Sequence, residues 1–467
     1  MKSTGLHIGR IVLIFCLIFS VWIVLNIPTG YSLSYCIQCA TIYIIAMMVT
    51  LINCIRTQGY YGLCTIIFII VFFATNYLYP LYFYINDSLM LIFSYEFAEH
   101  NIDKGTAIAT LGGVAFMVGC YNVRYKKCNH LCLLLNDPKI KYFQRIQAYE
   151  KIIIVVCAML ILYNTWGTIL SRTYSTTAQF EDKTASSYLK IVYVYLYYLV
   201  FKDFCRISPI ASSLRSFWRL CCKPIHLVVA LLVFINLYVG GRTLALNFFL
   251  LYPLCYSIFI KRIQIRYLFV GAMAILMLLF IVGRVRGEYG VSATDAITNS
   301  SFIYYFQDLA INSRSLYELI HYADSYGATL GRTMLLDIFS YIPFGQSLLM
   351  AITGFKPIDI SSPHLVTYMY FGNNPEIGLG TNMIGDIYVS FKTIGVFFFM
   401  YVLGRGISKI SQKAMTNIIY MLMFSMLSTQ MVFVVRNGYF SIWRYVIWGI
   451  GLYLFDKYTY KTTNKIK

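Results

Sequence analysis

The chain has 467 residues, of which 59% are hydrophobic and only 12% charged, with a formal net charge of +19. Water-soluble proteins carry about a quarter of their residues as Asp, Glu, Lys or Arg, so this composition excludes a soluble enzyme or binding module and implies a polytopic membrane protein. The basic excess would suit a nucleic-acid partner, but its placement along the chain argues against one.

The first apolar run, Ile11 to Ile27, follows a short basic start in the manner of a signal peptide. It is nearly long enough to span a bilayer and is soon followed by another span, so it reads as a retained first helix. A spanning helix needs about 20 mostly apolar residues. That rule predicts about twelve transmembrane helices, near 9–27, 33–53, 61–84, 105–122, 151–170, 188–204, 225–240, 244–260, 267–283, 381–403, 414–434 and 441–455. The predicted fold is therefore an all-α polytopic membrane protein. Helices 1–9 lie in residues 1–283, a long loop in 284–380 and helices 10–12 in 381–467.

Basic residues are held in cytoplasmic loops during insertion. With the N-terminus inside, the loops that fall inside carry 25 of the 38 basic residues and only 4 of the 19 acidic ones. The inner side then sums to +21 and the outer to −2. The charge is thus a topology signal, with both termini cytoplasmic and the long loop outside. No nucleic-acid partner is expected.

Thirteen cysteines end at Cys255, which leaves the long loop without any. Cys36 and Cys39 sit in an apolar run and read as buried packing. Cys128, His130 and Cys132 offer two zinc-ligand types in a basic loop, but no second pair follows them.

Loops approaching a hundred residues without a task are uncommon. The segment from Gly283 to Gly380 opens GRVRGEYG and ends SSPHLVTYMYFGNNPEIGLG. Within it, Ala296 to Tyr322 places Phe302, Tyr305, Phe306, Leu309, Leu316 and Leu319 at helical spacing. It is expected to lie as an amphipathic helix at the membrane surface or to cap the bundle. A second short amphipathic piece runs from Arg332 to Tyr341.

Of the 13 outer basic residues, 8 are arginine, and Arg242, Arg284, Arg286 and Arg436 sit at helix ends. A guanidinium grips phosphate oxygens in pairs and keeps its charge. Arg314 has Glu318 one turn later and is expected to pair with it. No Walker phosphate loop, GxSxG elbow, HExxH motif or metal-holding Asp-x-Asp occurs. A donor leaving as a lipid-linked diphosphate would need neither metal nor other cofactor, since arginines could meet the developing charge. The acceptor hydroxyl would need a general base, for which His364, Glu376, Asp386, Glu288 and Asp337 are the outer-side candidates. Asp386 lies just inside a predicted helix, where a carboxyl is costly; its alternative use is to pair with Lys392 or an arginine.

Two segments carry a family resemblance. GGRTLALNFFLLYPL closes an apolar span, and GTNMIGDIYVSFKTIG places Gly385, Asp386, Tyr388, Phe391 and Gly395 in a G-[DE]-x-Y-x-x-F-x-x-x-G pattern. Together with the long outer loop, these segments resemble the O-antigen polymerases of the Wzy type, also called oligosaccharide repeat unit polymerases. The usual glutamate of the second segment is here Asp386. The resemblance implies a glycosyltransferase with a multi-span, GT-C-like architecture in the bacterial inner membrane. Such an enzyme moves a growing glycan from undecaprenyl diphosphate to the next lipid-linked repeat unit at the periplasmic face. It implies diphosphate contacts from Arg242, Arg284 and Arg286, with Arg314, Arg332 and Arg436 as a wider set; Asp386, His364 and Glu376 stand as the catalytic candidates beside them, with Tyr388 a candidate substrate contact. A chain-length regulator is the implied membrane partner. An O-antigen ligase shares this topology. A repeat-unit flippase would suit twelve spans, but its paired halves sit poorly with nine spans before the loop and three after.

Overall fold

A computed structural model describes residues 2–86, 97–121, 150, 152–156, 159–160, 163, 183–207, 223–239, 242–260, 263, 271, 307–373 and 378–465. In chain order the main helices are α1 (Lys2–Leu25), α2 (Leu33–Asn53), α3 (Leu63–Leu78), α4 (Ile102–Tyr121), α5 (Lys183–Ile207), α6 (Pro224–Val239) and α7 (Arg242–Phe259). They continue as α8 (Asn312–Tyr326), α9 (Leu335–Phe339), α10 (Gly345–Thr353), α11 (Ser362–Phe371), α12 (Met383–Ala414), α13 (Ile418–Gln430) and α14 (Trp443–Lys465). Every described element is helical, as the composition required.

Helices occupy ten of the twelve expected spans; 151–170 and 267–283 fall largely outside the described residues. Among the described residues, His7–Leu25, Leu33–Phe83 and Met383–Ala414 are long and apolar enough to cross a bilayer, and Pro224–Leu237, Leu244–Phe259 and Ile418–Gln430 are shorter apolar helices. The 51-residue stretch is not one rod. Tyr43 Oη donates to Ile69 O at 2.8 Å, whereas 26 residues of straight helix would separate them by about 39 Å. The chain reverses at Cys54–Gly62, through a π-turn and a 3₁₀ turn, as the two separate predicted spans require.

Two compact units result: Met1–Lys127, Ser301–Gln412 and Gln430–Arg444 form the first, and Cys128–Ser300, Lys413–Thr429 and Tyr445–Lys467 the second. In the first unit, α1 buries Leu13, Cys16, Ser20 and Ile23 while Ile11, Phe15, Ile18 and Trp22 stay exposed on another face. An exposed face this apolar is what a lipid-facing span presents. Helix α4 is the hub, buried at every residue from Gly105 to Met117 and packed on α1, α2, α3 and α8. It meets α12 backbone to backbone. A Cβ at Gly119 would lie 2.3 Å from Tyr401 O, and one at Gly404 would lie 2.1 Å from Phe116 O. Small residues of this kind let membrane helices approach closely. Cys36 and Cys39 are buried free thiols, and Cys36 Sγ donates to Asp103 Oδ1 at 3.2 Å.

Within the described part of the helix expected at 296–322, residues are helical at Gln307–Ala310 and Asn312–Tyr326, the latter extending past the expected end. Helix α8 is buried from Asn312 to Ile320 and packs on α3, α4 and α11, so it is built into the bundle and does not lie on the membrane surface. Residues 296–306 lie outside the described residues. The second expected piece is a 3₁₀ turn, Arg332–Met334, leading into α9.

The second unit holds α5, α6, α7 and α13. Its buried charges are closely matched. Lys202 Nζ reaches Glu150 Oε1 at 2.6 Å and Asp456 Oδ2 at 2.8 Å, and Tyr198 Oη donates to the same aspartate. Asp203 takes Lys223 at 2.7 Å, Arg206 at 3.0 Å and His226 Nε2 at 3.0 Å. Three of the four acidic residues that the charge bias assigns inside are therefore buried carboxylates, each paired with a basic group. Buried ions are tolerated on that condition.

Candidate active site

The patterned segment opens α12, where Asn382 Oδ1 accepts from Ile384 N at 2.9 Å and Asn382 Nδ2 donates to Asn76 Oδ1 at 3.0 Å. Each patterned residue then has a distinct task. Gly385 lies against Leu316 and Leu319 of α8, leaving no room for a side chain. Phe391 stacks on Phe399 with centroids 5.2 Å apart, and Gly395 is tight against Phe391. Tyr388 Oη donates to Asp324 Oδ1 at 3.0 Å, so this hydroxyl, expected on substrate, bonds within the protein. Lys392 breaks the helix with φ 57° and ψ −160°, a conformation rare outside glycine. Its ammonium holds the break to the end of α8, donating to Ala323 O at 2.5 Å and to Asp324 Oδ1 at 3.1 Å. The alternative pairing of Asp386 with Lys392 is therefore incorrect: Lys392 pairs with Asp324. Partial burial acts to raise the Asp324 carboxyl, but Lys104 and Lys392 outweigh it and hold the group below its usual range.

Asp386 is 1% exposed. Its Oδ2 accepts from Tyr439 N at 2.8 Å, and its Oδ1 is buried with no hydrogen-bond partner. The Ser362 hydroxyl, at the start of α11, faces the same carboxyl without reaching hydrogen-bonding geometry. A second carboxylate joins it. A Cβ on Gly438 would meet Asp337 Oδ2 at 2.1 Å and Asp386 Oδ2 at 3.3 Å, so the two aspartates converge on a glycine, where no side chain stands between them. Arg444 Nη2 lies 3.9 Å from Asp337 Oδ1. Asp337 is the more accessible member, with 22% of its side chain exposed against 12% for Arg444. Tyr341 donates to Phe440 O at 2.7 Å; burial, with Asp337 nearby, pushes its phenol up and keeps it a donor.

The outer arginines separate. Arg314 is buried, donates Nε to Tyr79 Oη at 3.1 Å and lies over the Tyr79 and Phe97 rings at 5.1 and 4.9 Å. Glu318, its expected partner, accepts from Ala98 N at 2.5 Å. Arg436 is held through Asn312, whose amide accepts from Arg436 Nε at 3.0 Å and donates to Thr381 O at 2.6 Å when oriented to satisfy both. Arg332 is exposed and lines a cleft described next. Arg242 opens α7, but its side chain, together with Arg284, Arg286, Glu288, Glu376 and the Cys128, His130, Cys132 group, lies outside the described residues. His364 is half-buried on α11 with Nδ1 2.9 Å from Ser361 Oγ.

The cleft has a volume of about 510 Å³. Tyr322 and Tyr326 of α8 form one wall, with centroids 5.0 Å apart, and Tyr368 of α11 stands opposite in the lining. Helix α11 connects the two features: Ser362 at its start faces Asp386, while Leu365 and Tyr368 line the cleft.

Sequence reasoning named Asp337 as one of five possible bases but gave no sign that it meets Asp386, 49 residues away. Gly438 and Ser362 were missed, and nothing local marks them. Arg444 falls within the predicted span 441–455, where its charge has no local partner in sequence. No curated protein and no solved structure matches this chain. The family model described as O-antigen polysaccharide polymerase Wzy matches residues 8–465, nearly the whole length, and the chain belongs to that family of membrane polymerases.

Proposed function

We propose that the protein joins lipid-linked oligosaccharide repeat units, moving the growing glycan from undecaprenyl diphosphate to a hydroxyl of the next undecaprenyl-diphosphate-linked unit. The observation that carries this reading is the convergence of Asp337 and Asp386 on Gly438 beside Arg444, within a chain of a polymerase family. Asp337, the accessible carboxylate, takes the proton of the acceptor hydroxyl. The new C–O bond forms as the bond to undecaprenyl diphosphate breaks, and the electron pair leaves with the diphosphate. Asp386 cannot touch a substrate from its buried position; it sets the position and charge of Asp337. Arg242, Arg284 and Arg286 are the groups proposed to meet the departing diphosphate, since guanidinium forks match phosphate oxygens and need no metal. The charge bias supports a periplasmic active face in the inner membrane, and the family resemblance suggests a chain-length regulator as partner.

Deletion of the gene tests the assignment against its neighbours. Lipopolysaccharide from the deletion strain should show core bearing a single repeat unit on a gel, with the ladder of longer products gone. Loss of every repeat unit would mark the protein as a ligase or flippase instead, and an unchanged ladder would remove it from the pathway.

A further inference from the structure

The cleft between α8 and α11 is separate in composition from the carboxylate pair. We infer that it is a carbohydrate subsite, holding sugar rings of the repeat unit while the reacting ends meet at Asp337; this inference rests on the polymerase reading above. Volume is the first consideration, since about 510 Å³ lies inside the range of small-ligand sites, roughly 300–1,000 Å³.

Chemistry then decides the occupant. Three tyrosines line the space, and Tyr326 and Tyr368 are 77% and 41% exposed. Aromatic faces with a polar edge suit a ligand that is apolar on one side and hydroxylated on the other, which describes a pyranose ring. Arg332, Glu318 and Asp359 line the same space, and these groups can bond neighbouring hydroxyls. An acyl chain would strip water from all three without replacing its hydrogen bonds, at a cost of several kcal/mol by order of magnitude. A diphosphate is also a poor match, because Glu318 and Asp359 oppose the single arginine. The structure thus assigns Arg332 to sugar hydroxyls and not to the diphosphate, and divides substrate recognition between two places joined by α11.

The test uses full-length protein in nanodiscs, which carry no sugar detergent. The probe is the soluble repeat-unit oligosaccharide released from the strain's own polysaccharide, followed by saturation-transfer NMR. Wild type should transfer saturation to ring protons. Tyr322→Ala with Tyr368→Ala should weaken binding at least 10-fold, and the corresponding double Phe variant, which keeps the rings, should stay within about threefold of wild type. Arg332→Ala, at an exposed position, gives a second readout if the Ala pair fails to fold, with an expected loss of about fivefold or more. Undiminished binding by the Ala pair or by folded Arg332→Ala would overturn the subsite. So would a wild-type protein that binds no released glycan yet still elongates lipid-linked units. Failure both to bind and to elongate would overturn the polymerase reading together with the subsite.

Discussion

Asp337→Asn should lower the rate of polymer formation by roughly 10²- to 10⁴-fold, the usual contribution of a positioned general base, while the protein remains folded and in the membrane. An asparagine keeps the shape of the side chain but gives up its negative charge, and with it the pairing with Arg444 and the capacity to take a proton. Asp386→Asn should also lose activity, because its carboxylate accepts the Tyr439 N–H and stands against Asp337 across Gly438. Two carboxylates this close act as one unit, so the double variant should be no slower than the slower single one. In vitro elongation rates, normalised to protein that elutes as a single peak, give the measurement. Full chain length and yield with Asp337→Asn would remove the base from this residue. Multiplicative losses in the double variant would show that the two aspartates act separately.

The second large effect concerns the fold. Gly404→Ala places a Cβ about where it would lie 2.1 Å from Phe116 O, on the backbone of α4. A carbonyl in the middle of a buried helix cannot swing aside as a side-chain tip can, so α4 and α12 must separate. Overpacking of well-filled cores costs about 1–3 kcal/mol, and backbone against backbone lies at the upper end. That is a large part of the roughly 5–15 kcal/mol by which a typical fold is stable. Gly406→Ala supplies the control, because nothing lies within 4 Å of its Cβ position two residues further on. There the gain in helix propensity, roughly 0.5–1 kcal/mol, should leave stability equal or slightly higher. Thermal unfolding in detergent should separate the two variants clearly. Equal transitions for Gly404→Ala and wild type would contradict the close packing of α4 on α12.

The sequence made the all-helical, apolar character and the rough positions of the described helices visible because lipid demands a long apolar stretch for each crossing, whatever the tertiary arrangement. Even the reversal at Cys54–Gly62 could be read from the break between two apolar runs. The G-D-x-Y-x-x-F-x-x-x-G segment was also legible as a unit, although its residues turned out to do different work. Gly385 admits α8, Phe391 and Gly395 shape the break, and Tyr388 with Lys392 ties that break to Asp324. The left-handed conformation of Lys392 had no local signal, since glycine is the residue that usually marks it. Pairings across sequence were the part that could not be read. Asp337 with Asp386, and Arg436 with Asn312, are set by how helices pack, and helical periodicity gives the face of a helix but not its partner. The Arg314–Glu318 expectation failed for the same reason: spacing along a helix allowed the pair, while tertiary neighbours Tyr79 and Ala98 took each member.

The most direct measurement is reconstitution. Purified wild-type protein in liposomes, supplied only with undecaprenyl-diphosphate-linked repeat units, should convert them to a ladder of longer lipid-linked glycans and release undecaprenyl diphosphate in step with each bond formed. Repeat units that remain single, or that merely cross the bilayer unjoined, would contradict the account.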